Sequence, residues 1–338
     1  AGRGGRGRGG ALPSSNHLLA APVIMPGGAA VMPWELLDAV SVLAEFRKSI
    51  PTMADVPDCF RGPLRAVFHF VLLNIRDNHG INDARTEQAW KLLLLLPRLL
   101  LRPTTSSPTS SHRDELRDRI ARFWAGNWSS LLNECVDSSP RPSKHRDLDT
   151  QAQKLIRSSQ LSKAAAMLTS PGLAPTNDET KNLLTDPDKR PRDAYEDLPE
   201  YPATERIALN RDQVKQNIRD IKKGSSPGRA GLRGEHLRLL LDSDSGTFDL
   251  LCEVLDLLAN ADLPQHIRAS LAVGSLTPLK KVDVDGTYKG VRGICTGHLL
   301  RRVVARTLTQ KHWSEIEEAT APQQLSMGSR SEVDLVTL

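Results

Sequence analysis

The sequence predicts a mostly helical α+β protein with one small β-hairpin. Three observations predict it. Apolar residues recur at helical spacing through most of residues 34–102 and 112–168. Two strand-like runs, Leu271–Leu279 and Tyr288–Cys295, flank Val284-Asp285-Gly286-Thr287, and Asp-Gly between such runs is a strong hairpin signal. An amphipathic helix follows, with Leu299, Leu300, Val303, Val304 and Leu308 on one arc and His298, Arg301, Arg302 and Arg306 on the opposite one.

Taken in order, residues 1–33 open with AGRGGRGRGG, a composition that cannot bury a core, and are expected to be a disordered tail. Arg3, Arg6 and Arg8 make it RGG-like, so loose RNA binding and a plain tail are both open readings. Residues 34–175 form a helical N-terminal region. Leu36, Leu37, Val40 and Leu43 share a face, as do Leu64, Val67, Phe68 and Val71 in the helix Pro63–Ile75, where His69 reads as a packed core histidine. Ala84–Leu101 is a third helix, expected to be interrupted at Pro97. PTTSSPTSS (103–111) is a linker, and His112–Val136 is a further helical stretch whose Phe123, Trp124 and Trp128 are expected to pack rather than to stack on bases. Gln151–Leu168 reads as one Ala-rich helix ending at Ser170-Pro171-Gly172.

Residues 176–205, rich in Pro, Asp and Arg, read as an extended connector to the last region, 206–338. There Asn210 and Gln213 make a capping-box-like pair, and Gly224 stops the helix that they open. GSSPGRAGLRGEHLRLLLD (224–242) follows. A Gly-rich turn before a helix can offer free amides to phosphate, but GxxxxGK[ST] is absent, so this is no P-loop. Glu235 and His236 are adjacent, hence about 100° apart on a helix, and read as structural. Thr247–Ala259 is an amphipathic helix, and Leu263-Pro264 restarts a short one that feeds the hairpin. Thr296 is the expected N-cap of the helix beginning near Gly297.

Charge is concentrated at the end. Residues 271–312 hold eight Lys or Arg against two Asp, a larger excess than the +5 of the whole chain. A basic hairpin with a basic helix suits a polyanion, although a merely solvated face has the same composition. At 338 residues there is room for one or two domains. Cys59, Cys135, Cys252 and Cys295 are far apart, so zinc is not expected and reduced, buried thiols are. No run approaches the ~20 apolar residues of a membrane span, and Leu92–Leu96 reads as core. No signal peptide is evident, and no feature fixes a location; an intracellular setting, the nucleus included, is compatible with the sequence. The chain opens on Ala and stops within an apolar run, so both ends read as cut.

The order SPGxxGL–EHL, LTPLKK, VRGI, HLLRRVVA resembles the fingers region of reverse transcriptases of non-LTR retrotransposons. The wording of 151–180 is similar to the N-terminal extension of that group, and APQQLSMGSRSEVDLVTL to the segment after its fingers. The resemblance implies a partial fingers subdomain over 206–338. It implies that Lys280 or Lys281, with Arg292, contacts the triphosphate of an incoming deoxynucleotide. Arg301, Arg302 and Arg306 would lie near the backbone of an RNA or DNA template-primer, and Ser226 and Gly228 in a template-side loop. The chain departs from the pattern at Gly293, where the family has Pro, which loosens the strand exit, and at Arg229-Ala230, where Pro-Asp is expected.

The family's Mg²⁺ ions need palm carboxylates, one Asp on a strand and two in an aromatic-x-Asp-Asp turn. No Asp-Asp dipeptide occurs, none of Tyr195, Tyr201 or Tyr288 starts such a turn, and Asp334 lacks the palm context. No cofactor is therefore expected on this chain, and Mg²⁺ only together with a palm. Two other readings stay open: a non-catalytic nucleic-acid-binding protein and a helical scaffold. By itself the chain is expected not to extend a primer; Mg²⁺-dependent incorporation of labelled nucleotide by the purified protein would contradict this.

Overall fold

The computed structural model describes residues 23–24, 30–31, 33–48, 50–103, 112–135, 148–157, 159, 161–186, 206–241, 246–283 and 285–320. Two short strands, β1 (Val23–Ile24) and β2 (Ala30–Val31), pair antiparallel within the stretch expected to be wholly disordered. Arg3, Arg6 and Arg8 lie outside the described residues, as do 104–111, 136–147, 187–205 and 321–338. A 3-10 turn at Glu35–Leu37 leads to α1 (Val42–Arg47), capped by Ser41, whose hydroxyl accepts from the Ala44 amide.

The centre is a helical pair, α2 (Asp58–Asn78) and α3 (Asp83–Leu100), packed along each other. Every residue of α3 from Gln88 to Leu100 is buried. A helix apolar all round is stable only inside other elements, and α1, α2, α4 (His112–Trp124), α5 (Trp128–Asn133) and α12 (Gln265–Ala272) all pack against it. That burial corrects the expected interruption at Pro97. The helix runs through it, and Pro97 O still accepts from the Leu101 amide at 2.8 Å. α2 starts at Asp58, five residues before the expected Pro63, and His69 shares a hydrogen bond of 3.1 Å with Thr247 Oγ1.

The stretch read as 112–136 is two helices, because Gly126 turns the chain at φ +77°. Trp34, Phe70, Phe123, Trp124 and Trp128 interlock edge-to-face and tilted, with Trp34–Trp128 centroids at 4.8 Å, so these rings form core. The Ala-rich stretch is likewise two helices, α6 (Leu148–Arg157) and α7 (Leu161–Thr169), folded back on each other after Ser159 takes φ +58°. The expected extended connector begins with a helix, α8 (Asp178–Thr185), because Asn177 Oδ1 accepts from the Thr180 amide and caps it.

α9 (Arg211–Arg219) has the expected cap, Asn210 Oδ1 accepting from Gln213 N at 2.9 Å. α10 (Gly234–Arg238), α11 (Thr247–Ala259) and α12 follow. The hairpin is β3 (Ser275–Val282) with β4 (Tyr288–Thr296), and α13 (Leu299–Lys311) and α14 (Trp313–Thr320) close the described chain. Leu271 belongs to α12 rather than to the first strand. Thr296 is not the cap of α13, because it still pairs with Ser275 in the sheet; His298 Nδ1 accepts from the Leu300 amide instead. One continuous cluster of buried side chains runs from Trp34 to Cys135 and from Leu209 to Val304.

Two of the expected buried thiols are exposed. Cys135 and Cys252 are buried, and burial pushes the Cys252 thiol up to about 12, whereas Cys59 and Cys295 face solvent on the first turn of α2 and on β4. Arg98 is 1 % exposed and donates to Glu45 O at 2.5 Å, to Lys48 O at 3.2 Å and to Arg229 O. Each carbonyl left unpaired in the interior costs roughly 1–3 kcal/mol. Arg98→Met is therefore expected to lower the unfolding free energy by more than about 3 kcal/mol, read from urea midpoints at constant m.

Candidate nucleotide and nucleic-acid interface

The hairpin register decides which cations share a face. Leu279 pairs with Arg292, Lys280 with Val291 and Lys281 with Gly290. Opposed residues project to the same side, and neighbours along a strand to opposite sides. Lys281 and Arg292 are thus diagonal neighbours on one face, and Lys280 projects from the other. Gly290, directly across from Lys281, has φ +123° and no side chain to crowd it. Lys281, Arg292 and Ile294 are exposed, and among the described residues neither Lys281 nor Arg292 forms an ion pair. Lys280 lines an open cleft with Thr169, Pro171, Glu179 and Tyr288.

β4 continues in register through Gly293, opposite Pro278, as far as Thr296. The ladder therefore continues on both sides of Gly293. The turn is a five-residue loop rather than a two-residue Asp-Gly connection. Thr287 N donates to Asp283 Oδ1 at 2.8 Å, Gly286 has φ +79°, and a bulge follows Lys281.

The three helix arginines are placed differently from the hairpin cations. Arg301 donates to Leu271 O at 3.0 Å, in the last turn of α12, where a cation meets the negative end of the helix dipole. Arg302 donates to Ser226 O at 2.9 Å, and Arg306 to Asp220 Oδ2 at 3.3 Å. Ser226 is thereby brought against α13 through its backbone. Gly228 has φ +68°, and a Cβ there would meet Gly297 O at 3.0 Å, so the glycine lets the loop lie against the turn that starts α13. His298, expected on the cationic arc, is instead 2 % exposed.

The rest of that loop is bolted to the N-terminal helices. Thr52 Oγ1 donates to Gly231 O at 2.6 Å, and Arg233 Nε to Thr52 O at 3.0 Å. His236 is fully buried: Nδ1 accepts from the Arg233 amide and Nε2–H donates to Met53 O at 2.6 Å. The Gly224 amide, one of those a phosphate would use, is committed to Glu235 Oε1 at 2.8 Å. Burial raises the Glu235 carboxyl, but that amide with Arg238 and Arg233 outweighs it and holds the group below its ordinary value. Glu235 and His236 are structural, as read.

Sequence reasoning missed three features that shape this site. Arg98 follows the Pro97 at which an interruption was expected, and its burial has no local signal. The burial of His298 was hidden behind its arc. The pairing of Gly172–Ala174 with β3 was legible only as Ser-Pro-Gly-Leu-Ala-Pro, an extended stretch between a helix end and a cap. Among the described residues no three His, Cys, Asp or Glu side chains gather as a metal site, and no helix is long and apolar enough to cross a membrane. Fold and site together define a mostly helical α+β protein that displays a basic two-stranded hairpin. Compared with known proteins, the chain matches no family model, no curated protein and no solved structure.

Two buried histidines make the fold acid-sensitive. Burial lowers His236 to about 4 and His298 to about 3, from an ordinary 6.5. A histidine lowered in the folded state stabilises fully above 6.5 and loses that contribution as pH falls from 6.5 toward the folded value. Each is worth about 2 kcal/mol between pH 8 and pH 5. The urea midpoint is expected to fall over that range, and His236→Gln to lower it at pH 8 while flattening the fall.

Proposed function

We propose that the chain is the fingers-bearing part of a retrotransposon RNA-directed DNA polymerase, binding a deoxynucleoside triphosphate and a template-primer but lacking the palm carboxylates. One observation carries the reading: Lys281 and Arg292 lie diagonally on one hairpin face, exposed, with no ion pair among the described residues. Cross-strand diagonal positions are about 7–8 Å apart, a spacing at which both side chains reach one polyphosphate. The Arg292 fork takes two phosphate oxygens, and Lys281 adds a point charge. Lys280 projects from the opposite face and is not a ligand in this arrangement. Arg301, Arg302 and Arg306 approach the template-primer backbone with the N–H groups that their contacts to the chain leave over. Mg²⁺ would arrive with the nucleotide and needs carboxylates from a palm.

A non-catalytic nucleic-acid-binding protein or a helical scaffold is the second reading. What favours the scaffold is that Arg301, Arg302 and Arg306 each bond to the chain itself. Calorimetric titration with Mg²⁺-dTTP separates the readings. Lys281→Ala and Arg292→Ala are each expected to weaken binding about tenfold, and Lys280→Ala less than about twofold. Equal losses in all three, or no nucleotide binding by the intact chain, would sink the first reading. Without nucleotide binding, RNA binding whose salt slope falls by about one for each of Arg302→Ala and Arg306→Ala would support the nucleic-acid-binding alternative, and no binding of either at low salt the scaffold.

A further inference from the structure

We infer that residues 170–186 act as a strap that positions the basic hairpin, with Gly172–Ala174 as its third strand and α8 braced against one face. Two-stranded hairpins are marginal on their own. This one buries little, because Leu276, Tyr288 and Ile294 are all more than two-fifths exposed. Its order comes from elsewhere. The Ala174 amide donates to Pro278 O at 3.1 Å, the Lys280 amide donates to Gly172 O at 3.1 Å, and Leu173 bridges antiparallel to Leu279. Pro278 has no amide hydrogen to donate. Its carbonyl faces the strap, so the missing donor falls on that side and the β3–β4 ladder stays whole.

The strap is also built locally. Ser170 Oγ accepts from the Gly172 amide at 3.1 Å, and Gly172 at φ +83° turns the chain out of α7. Asn177 then starts α8, which packs against β4 and shares a cleft with Leu276 and Pro278, while Glu179 shares one with Lys280. Leu276, Pro278 and Lys280 alternate along β3 and belong to one face. α8 lies beside that face, on which Leu276 and Lys280 remain exposed, and so stands on the side away from Lys281 and Arg292. Gly172 and Ala174 are therefore positioning residues for a site more than a hundred positions downstream; the consequence for nucleotide binding rests on the function proposed above.

Three variants of the full chain test this. Ala174→Pro removes the donor to Pro278 O, Ala174→Ser keeps it, and Leu173→Ala trims an exposed side chain. The readouts are hydrogen exchange at the Lys280 amide and affinity for Mg²⁺-dTTP, with the α3 amides reporting the core. Ala174→Pro is expected to speed exchange at Lys280 at least tenfold and weaken dTTP about tenfold while α3 stays protected. Ala174→Ser and Leu173→Ala are expected to behave as the parent. Should Ala174→Pro also loosen α3, Gly172→Ala strains the left-handed turn without entering the core and gives the same two readouts. A Lys280 amide that stays protected in both strap variants overturns the inference, as does equal loss in Ala174→Ser. If the parent chain binds no dTTP, the nucleotide reading fails and Lys280 exchange alone decides the strap.

Discussion

The Arg98 guanidinium is the constraint on which the other parts depend. It sits near the end of a helix with no solvent-facing side, and it holds carbonyls of Glu45, Lys48 and Arg229. A buried cation is costly unless its donors are satisfied. Backbone carbonyls from two segments, the end of α1 and the loop before α10, meet its two terminal nitrogens only when α1, α3 and that loop are in place together. It also lies over the Phe46 ring at 5.2 Å, so the cation that fixes these segments is packed by the core that they make.

From Arg229 the dependence passes outward. The loop that Arg98 grips is clamped by Thr52 and Met53 at its far end and by Gly228 and Ser226 against the start of α13. Asn217 on α9 donates to Thr307 and Gln310 on α13, at 2.9 and 2.8 Å, and fixes the same helix from its other side. With α13 fixed and Arg301 tied to Leu271, both roots of the hairpin are held, since Ser275 pairs with Thr296 beside them. Basic residues near one another in sequence therefore divide into two groups. Those on α13 spend hydrogen bonds on holding the fold, while Lys281 and Arg292 spend none that the described residues record.

How much of this the sequence carried depends on the range of the interaction behind each element. The 3.6-residue period of Leu299, Leu300, Val303 and Val304 names a buried stripe whatever lies under it, and the structure buries all four. Asn210 as a cap is equally local, because donor and acceptor are three residues apart. The hairpin was legible from its turn and flanking runs. Local rules failed where packing opposed them. Pro97 removes one hydrogen bond, too little to end a helix enclosed on every side. His298 belongs to a polar arc by angle, yet the loop at Gly228 closes over it.

The class of fold, the positions of most helices, the hairpin and the concentration of cations on it were all readable from the residues alone. These follow from side-chain periodicity and turn chemistry within a few residues. It took the strand register to place Lys281, and not Lys280, on the same hairpin face as Arg292, since a shift of one residue would exchange the two lysines. Packing alone decided that α13 uses its arginines internally and that Gly172–Ala174 completes the sheet. Except for Arg306, which meets the Asp220 carboxylate, both depend on backbone groups of residues 30 to more than 100 positions apart, and every residue except proline offers the same backbone donor and acceptor.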